Sequence, residues 1–189
     1  MERSALLIID MQNDFVLEGK PLRVAGAKTV IPKIQAVLAE FRKRSLPVFH
    51  ILRVHRPDGS DVEIIRQELF RKQPFAVAGT TGAAVIDELA PRPGEYVITK
   101  TRMSAFIGTE LDLILRTLSV TSVYVTGIQT PNCIRTTVFD AIAYNYPVVL
   151  VDDAVGASSD EIHQANVRDM ANIGVRIVKA GDVAGLLAS

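Results

Sequence analysis

Short, unbroken apolar runs alternate along this chain with stretches of helical period. Residues 5–9 (Ala-Leu-Leu-Ile-Ile) are apolar throughout and stop at Asp10, the pattern of a strand covered on both faces. Comparable runs recur at 47–53, 95–99, 121–126, 148–151 and 175–178. Between the first two, Val30, Ile34, Val37, Leu38 and Phe41 fall on one face of a helix predicted over 28–43. Ser60 and Glu63 read as a capping box for a helix reaching Phe70. Further helices are predicted over 82–89, over 110–118 with Thr109 as cap, from Pro131 to about 144, over 161–172, and briefly at the C-terminus. Residues 11–26 and 55–60 read as loops, Pro91-Arg92-Pro93-Gly94 as a breaker, and 73–81 fits no template. Strands alternating with helices predict an α/β fold: a three-layer αβα, Rossmann-like domain over 1–189, built on a parallel sheet with right-handed crossovers.

Composition narrows the function without naming it. Of 189 residues, 48% are hydrophobic, enough for one sizeable core. Lys plus Arg and Asp plus Glu both total 21, and no basic stripe appears, so neither a nucleic-acid nor a membrane-surface partner is expected. A single cysteine excludes an internal disulfide framework and a cysteine-rich metal site. Met1-Glu2-Arg3-Ser4 leads straight into a strand-like run, and no apolar stretch is long enough to span a bilayer. The expectation is a cytoplasmic enzyme or binding domain.

The candidate chemistry centres on Tyr124 to Cys133. A β-branched run ends at Gly127, which permits an unusual backbone path, and Thr130-Pro131 resembles an N-cap followed by proline at the first helical position. Cys133 then falls in a first helical turn, where free N–H groups and the helix dipole favour an anion, so a depressed thiol pKa is expected. In open α/β sheets, ligands bind outside the carboxyl ends of the strands. Asp10, Lys100 and Cys133 occupy three of those ends. A carboxylate there can take a thiol proton, and an ammonium holds both anions. Asp14 competes with Asp10 for the carboxylate role, its alternative being to order the loop through backbone hydrogen bonds.

With these residues in order, the chain resembles the isochorismatase-like cysteine hydrolases, a family that includes nicotinamidases, N-carbamoylsarcosine amidase and ureidoacrylate and biuret amidohydrolases. The resemblance spans nearly the whole chain. It rests on Asp10-Met11-Gln12-Asn13-Asp14-Phe15, on Lys100 with Ser104-Ala105-Phe106, on Gly127 to Cys133 with Asp140-Ala141, and on Asp152-Asp153-Ala154. It implies a triad of Asp10, Lys100 and Cys133 on a six-stranded parallel sheet of order 3-2-1-4-5-6. It also implies a cis peptide before Gln129, which aims the N–H groups of Gln129 and Cys133 into one oxyanion hole. Family members are commonly dimers or tetramers, so a homodimer or homotetramer is expected.

Two departures narrow the resemblance to the N-carbamoylsarcosine and ureidoacrylate amidohydrolase branch. Nicotinamidases carry a metal-binding Asp-x-His after the second strand, where this chain has Arg53-Val54-His55. A cation in a metal ligand's place argues against a metal, so no metal or cofactor is expected. The branch that cleaves the vinyl ether of isochorismate lacks the nucleophilic cysteine, so Cys133 points to C–N hydrolysis of a small amide or ureido compound.

Other residues stay open. Arg53 and His55 sit beside the presumed pocket and are candidates for contacting substrate. Phe15 and Phe106 are candidates for its walls. His50 and His163 read as structural, Asp152 and Asp153 as strand-end caps, and Arg135 is undecided between solvent and an oligomer contact. A non-catalytic binder on the same fold is the rival reading. A thiol redox protein is disfavoured because no resolving cysteine exists.

Overall fold

A computed structural model describes residues 3–20 and 22–188. Six strands, β1 (Ser4–Ile9), β2 (Val48–Arg53), β3 (Tyr96–Lys100), β4 (Ser122–Ile128), β5 (Val148–Gly156) and β6 (Arg176–Val178), form one sheet. Their order is β3-β2-β1-β4-β5-β6 and every pairing is parallel. The period-2 geometry of a strand splits β1 between two cores. Leu6 and Ile8 enter one, Ala5, Leu7 and Ile9 the other. That division explains why the run carries no polar break.

Among the described residues, seven α-helices complete the layers: α1 (Asn13–Val16), α2 (Ala27–Lys43), α3 (Gln67–Lys72), α4 (Leu111–Thr117), α5 (Arg135–Ala143), α6 (Asp160–Asn172) and α7 (Val183–Leu186). The predicted stripe of α2 (Val30, Ile34, Val37, Leu38 and Phe41) packs in the first core with Tyr124 and Val151. Leu111 and Leu115 of α4, Val138 and Ala141 of α5, and Val167 and Met170 of α6 fill the second. Ser159 caps α6 by accepting from the Ile162 N–H at 3.3 Å, with Asp160 and Glu161 in the first turn beside the positive end of the helix dipole. Among the described residues, no helix is long and apolar enough to cross a membrane.

Four sequence expectations fail, each because a tertiary partner outcompetes a local signal. Ser60 does not cap a helix; its hydroxyl and its N–H both donate to Asp58 Oδ1. Glu63 turns inward instead, and regular α-helix begins only at Gln67, after a single 3-10 turn at Ile64–Arg66. Residues 82–89 are two 3-10 turns, Thr81–Ala83 and Asp87–Leu89, flanking Val85, which forms an antiparallel bridge with Gln12. β5 runs on to Gly156, so Asp152 and Asp153 lie within the strand; Asp152 accepts from His163 and Asp153 from the Ala180 N–H. Finally, Thr130 caps nothing. It opens a π-helical turn, Thr130–Ile134, and its hydroxyl meets His163 Nδ1 at 3.1 Å.

Candidate active site

The sheet order reverses at β1, whose neighbours are β2 and β4, and the carboxyl ends gathered there define the candidate site. Register does the positioning. Ile9 stands opposite Ile51 and Gly127, and Arg53 stands opposite Lys100, so the residues that end β1 to β4 project into one volume. Asp10 follows directly with φ of 54°, a left-handed conformation that non-glycine residues adopt at a cost and that recurs at functional sites. At Gly127 the chain passes so close to β1 that a Cβ would overlap the Ile9 backbone, and its φ of 108° favours glycine. The peptide bond between Ile128 and Gln129 is cis. The Gln129 N–H donates to no other group among the described residues.

Lys100 sits at the centre. Its ammonium donates to Asp10 Oδ2 at 3.0 Å, to the Arg102 carbonyl at 3.2 Å and to Cys133 Sγ at 3.4 Å, which uses all three protons. The Arg53 guanidinium reaches the same sulfur from the other side, with Nη2 at 3.7 Å, while Nη1 donates to Glu63 Oε1 at 2.7 Å. Gln12 fixes the Arg53 backbone by accepting from its N–H and donating to its carbonyl. Asp10 Oδ1 is buried without a hydrogen-bond partner.

The expected depression of the thiol pKa is overturned. Burial pushes the Cys133 thiol up, and the Asp10 charge adds to that; Lys100 and Arg53 oppose it without prevailing. A charge count gives the same direction. Asp10, Glu63, Lys100 and Arg53 sum to zero when Cys133 is a thiol, so a thiolate would leave one uncompensated negative charge in a buried site. Burial also works against charge on Arg53, but the anionic groups around it outweigh that and keep it cationic. Glu63 is likewise opposed by burial and held below the ordinary carboxylate range by its hydrogen bond from Arg53.

These groups border a cavity of about 350 Å³ lined by Asp10, Cys133, Gln129 and Asn132 on its polar side and by Phe15, Val24 and Ile128 among its apolar walls. Of the four proposed contact residues, Phe15 and Arg53 line this cavity. His55 and Phe106 do not. His55 is fully buried between Phe70 and Phe75, with Nδ1 3.3 Å from Asp61, and burial followed by the Arg53 charge keeps it neutral. Phe106 stacks on Tyr144 and Tyr146 in the second core. Asp14 orders the loop, accepting from the Ala76 N–H at 2.8 Å. Arg135 bonds Asn166 and Asp169 on α6.

Sequence reasoning missed Arg23, Arg66 and Leu69 at the cavity. Arg23 is paired with Glu18 at 2.8 Å, whereas the Arg66 backbone N–H donates to the Glu63 carbonyl and its guanidinium has no hydrogen bond or ion pair among the described residues. The available signal was Ile64-Ile65 followed by Arg66 and Leu69: apolar residues at helical spacing beside a strand end, which belong to a pocket rim as readily as to a core. Among the described residues, no group of three or more His, Cys, Asp or Glu side chains is placed to hold a metal ion.

Comparison with known proteins gives consistent matches. An isochorismatase domain is matched over residues 4–182. The chain is 44% identical to a probable inactive nicotinamidase of Arabidopsis thaliana, covering 92% of this chain and 90% of that protein. It is 33% identical to an N-carbamoylsarcosine amidase of an Arthrobacter species, over 96% of this chain and 67% of that one. The crystal structure of an isochorismatase family protein from Desulfovibrio vulgaris superposes with a TM-score of 0.96 at 45% identity, covering all of both chains.

Proposed function

Because the chain belongs to the isochorismatase domain family, we propose that it is a cysteine-dependent hydrolase of small amides. The reaction is cleavage of the C–N bond of a linear amide or carbamoyl (ureido) compound through a thioester. The observation that carries this reading is the meeting of Asp10, Lys100 and Cys133 within hydrogen-bonding distance of one ammonium, at the edge of a cavity sized for a small molecule.

The resting nucleophile is a thiol, so proton removal accompanies attack. Asp10 Oδ1, the oxygen without a partner, takes the Cys133 proton as sulfur adds to the substrate carbonyl. The N–H groups of Gln129 and Cys133 donate to the oxyanion, each contributing roughly 3 kcal/mol to the barrier reduction. Asp10 returns the proton to the leaving nitrogen as the C–N bond breaks, leaving an acyl thioester on sulfur. Water then gives one proton to Asp10 and its hydroxyl to the acyl carbon; as the C–S bond breaks Asp10 passes that proton to sulfur, and Cys133 leaves as a thiol. Lys100 offsets the negative charge as it moves between carboxylate and sulfur. No metal or cofactor takes part.

Arg66 refines the substrate. Arg53 is engaged by Glu63 and Cys133, and Arg23 by Glu18, which leaves Arg66, among the described residues, as the lining guanidinium with no side-chain ion pair and so able to bind an anion. The substrate is therefore an amide with an anionic group at its far end. The active unit is a homodimer or homotetramer, which sedimentation velocity measures directly. The name of the Arabidopsis relative favours a second reading, a non-catalytic binder on the same fold. One experiment separates the two. Incubation with a panel of anionic amides and ureido acids, followed by intact-protein mass spectrometry, gives an acyl adduct on Cys133 and released amine for the hydrolase. Tight binding with neither product supports the binder.

A further inference from the structure

The Arg53 guanidinium is shared between two groups. One edge holds Glu63 Oε1 at 2.7 Å and the Thr101 carbonyl at 3.5 Å; the other faces Cys133 Sγ at 3.7 Å. The Arg53 side chain is 1% exposed, so neither contact is screened by bulk water. Glu63 Oε2 is buried without a hydrogen-bond partner, and among the described residues Arg53 is the one cation that forms an ion pair with this carboxylate. Nothing in local helix formation requires Glu63 to turn inward; its capping role is unused.

We propose that Glu63 is a positioning residue of the site: by gripping one edge of Arg53 it limits the positive charge that reaches Cys133 and keeps the resting nucleophile protonated. The proposal rests on the reading of Cys133 as nucleophile but concerns its state before substrate arrives. With Glu63 ionised, Arg53 and Lys100 are both balanced by carboxylates, and the sulfur remains the neutral member of the cluster. With that charge removed, one cation is in excess beside sulfur and the thiolate becomes the balanced state. The other charged or titratable groups nearby are Asp10 and Lys100 at the ends of β1 and β3, Arg102 just beyond Lys100, and His55, Asp61 and Arg66 on the segment that follows β2. None of these hydrogen-bonds the Glu63 carboxylate; Arg66 and His55 feel its charge through space, and Arg53 is the group it grips.

The consequence is chemical protection. A buried thiol opposite a carboxylate reacts slowly with oxidants and alkylating agents, since the thiolate is the reactive form. Substrate supplies the carbonyl, whose developing oxyanion the Gln129 and Cys133 N–H groups hold, so the nucleophile is generated where it is used.

The test is the pH profile of iodoacetamide alkylation at Cys133, read by intact-protein mass spectrometry on wild type, Glu63→Gln, Arg53→Met and the double variant. It needs no substrate, so it stands or falls independently of turnover. In wild type the alkylation midpoint lies above the ordinary thiol value of about 8.5. Release of the Arg53 guanidinium towards sulfur should lower the midpoint by about one pH unit, so Glu63→Gln alkylates about tenfold faster at neutral pH. In the Arg53→Met background the same change has much less effect. An unchanged or higher midpoint in Glu63→Gln overturns the proposal. An equal downward shift with and without Arg53 also overturns it, since Glu63 would then act on sulfur directly. Should Glu63→Gln fail to fold, Glu63→Asp reads the same quantity: a smaller downward shift supports the proposal and none refutes it.

Discussion

A buried charge lies at each end of β3, and the two are treated in opposite ways. Just before the strand, Glu95 accepts from Arg42 Nε at 2.6 Å and Nη2 at 2.9 Å, from the Arg92 N–H at 2.8 Å and from His50 Nε2 at 2.9 Å. Both oxygens are occupied, and the carboxyl is held near pH 2; burial opposes this, but the hydrogen bonds led by Arg42 outweigh it. At the other end Lys100 is saturated, yet the groups it holds are not. Asp10 Oδ1 has no partner, its backbone is left-handed, and the thiol beside it is pushed up rather than down. At one end both carboxylate oxygens have donors, and the site stabilises the fold. The other leaves an acceptor and an acidic proton facing a cavity, which is the condition a reaction needs and a purely structural site avoids.

The sharpest way to break this contrast is to alter the open end. Asp10→Asn keeps size and polarity but cannot accept the thiol proton, and turnover should fall at least about 10³-fold. Cys133→Ala should abolish it. Both proteins should melt within a few degrees of wild type, measured by circular dichroism at neutral pH. Full activity in Cys133→Ala would eliminate the thioester mechanism; a folded but inactive protein separates chemistry from architecture.

The closed end should behave in reverse. Displacement of the Glu95 carboxyl from its ordinary value of 4.5 to about 2 corresponds to on the order of 3 kcal/mol of stability. Because the folded value is the lower one, this contribution is complete above about 4.5 and disappears as pH falls from there through 2. His50 adds in the same direction: burial keeps its ring neutral, so acid below 6.5 favours the unfolded chain, where it can charge. Glu95→Gln should therefore lose roughly that stability at pH 7 in urea titrations and flatten the acid limb. Its kcat/KM, normalised to folded protein, should stay within about twofold of wild type. A large loss of kcat would mean that the two ends of β3 are coupled.

What was legible in the sequence follows the same division. Asp10 was readable because the buried strand β1 is an unbroken apolar run and Asp10 is the first polar residue after it; Lys100, the last residue of the edge strand β3, and Cys133, in the turn after β4, were readable from their places at strand ends. The sheet itself was readable for the same reason. Residues 60–89 were not, because their local signals lose to distant partners. Glu63 is taken by an arginine ten residues earlier, Val85 by Gln12, and Gly82 packs against the Asp14 carboxylate where a Cβ would collide. The protonation state of Cys133 was misread because helix position was weighed without burial, and burial is the larger effect. Phe106 was misplaced because an aromatic residue near a strand end fits a core and a pocket wall equally well until Tyr144 and Tyr146 are seen stacked on it.

Arg66 tests whether the open end also selects its substrate by charge. A hydrogen bond to a charged group contributes about 1.5–3 kcal/mol, so Arg66→Ala should raise KM for an anionic amide by ten- to a hundredfold and leave kcat nearly unchanged. A neutral amide of the same shape should show no such change. Equal losses for both would assign Arg66 to the fold of the 64–72 segment instead of to recognition.

The smallest effect is expected where the two kinds of site meet. The turn that carries Gln129 and Cys133 is tied to α6 through Thr130, whose hydroxyl lies 3.1 Å from His163 Nδ1, while His163 Nε2 lies 2.9 Å from Asp152 Oδ1. A carboxylate only accepts, so a neutral ring carries its proton on Nε2 and takes its other hydrogen bond from the Thr130 hydroxyl. This chain is satisfied at every link, as Glu95 is, yet it ends three residues from the open site. Thr130→Val removes the donor but keeps the volume, at a cost of about 1 kcal/mol in stability. If the tie only holds the fold, kcat/KM per folded molecule is unchanged. If it also holds the Gln129 N–H in place, kcat falls severalfold with little change in KM, and Thr130→Ser, which restores the donor, recovers it. A loss that serine does not recover would trace instead to packing around the buried methyl group.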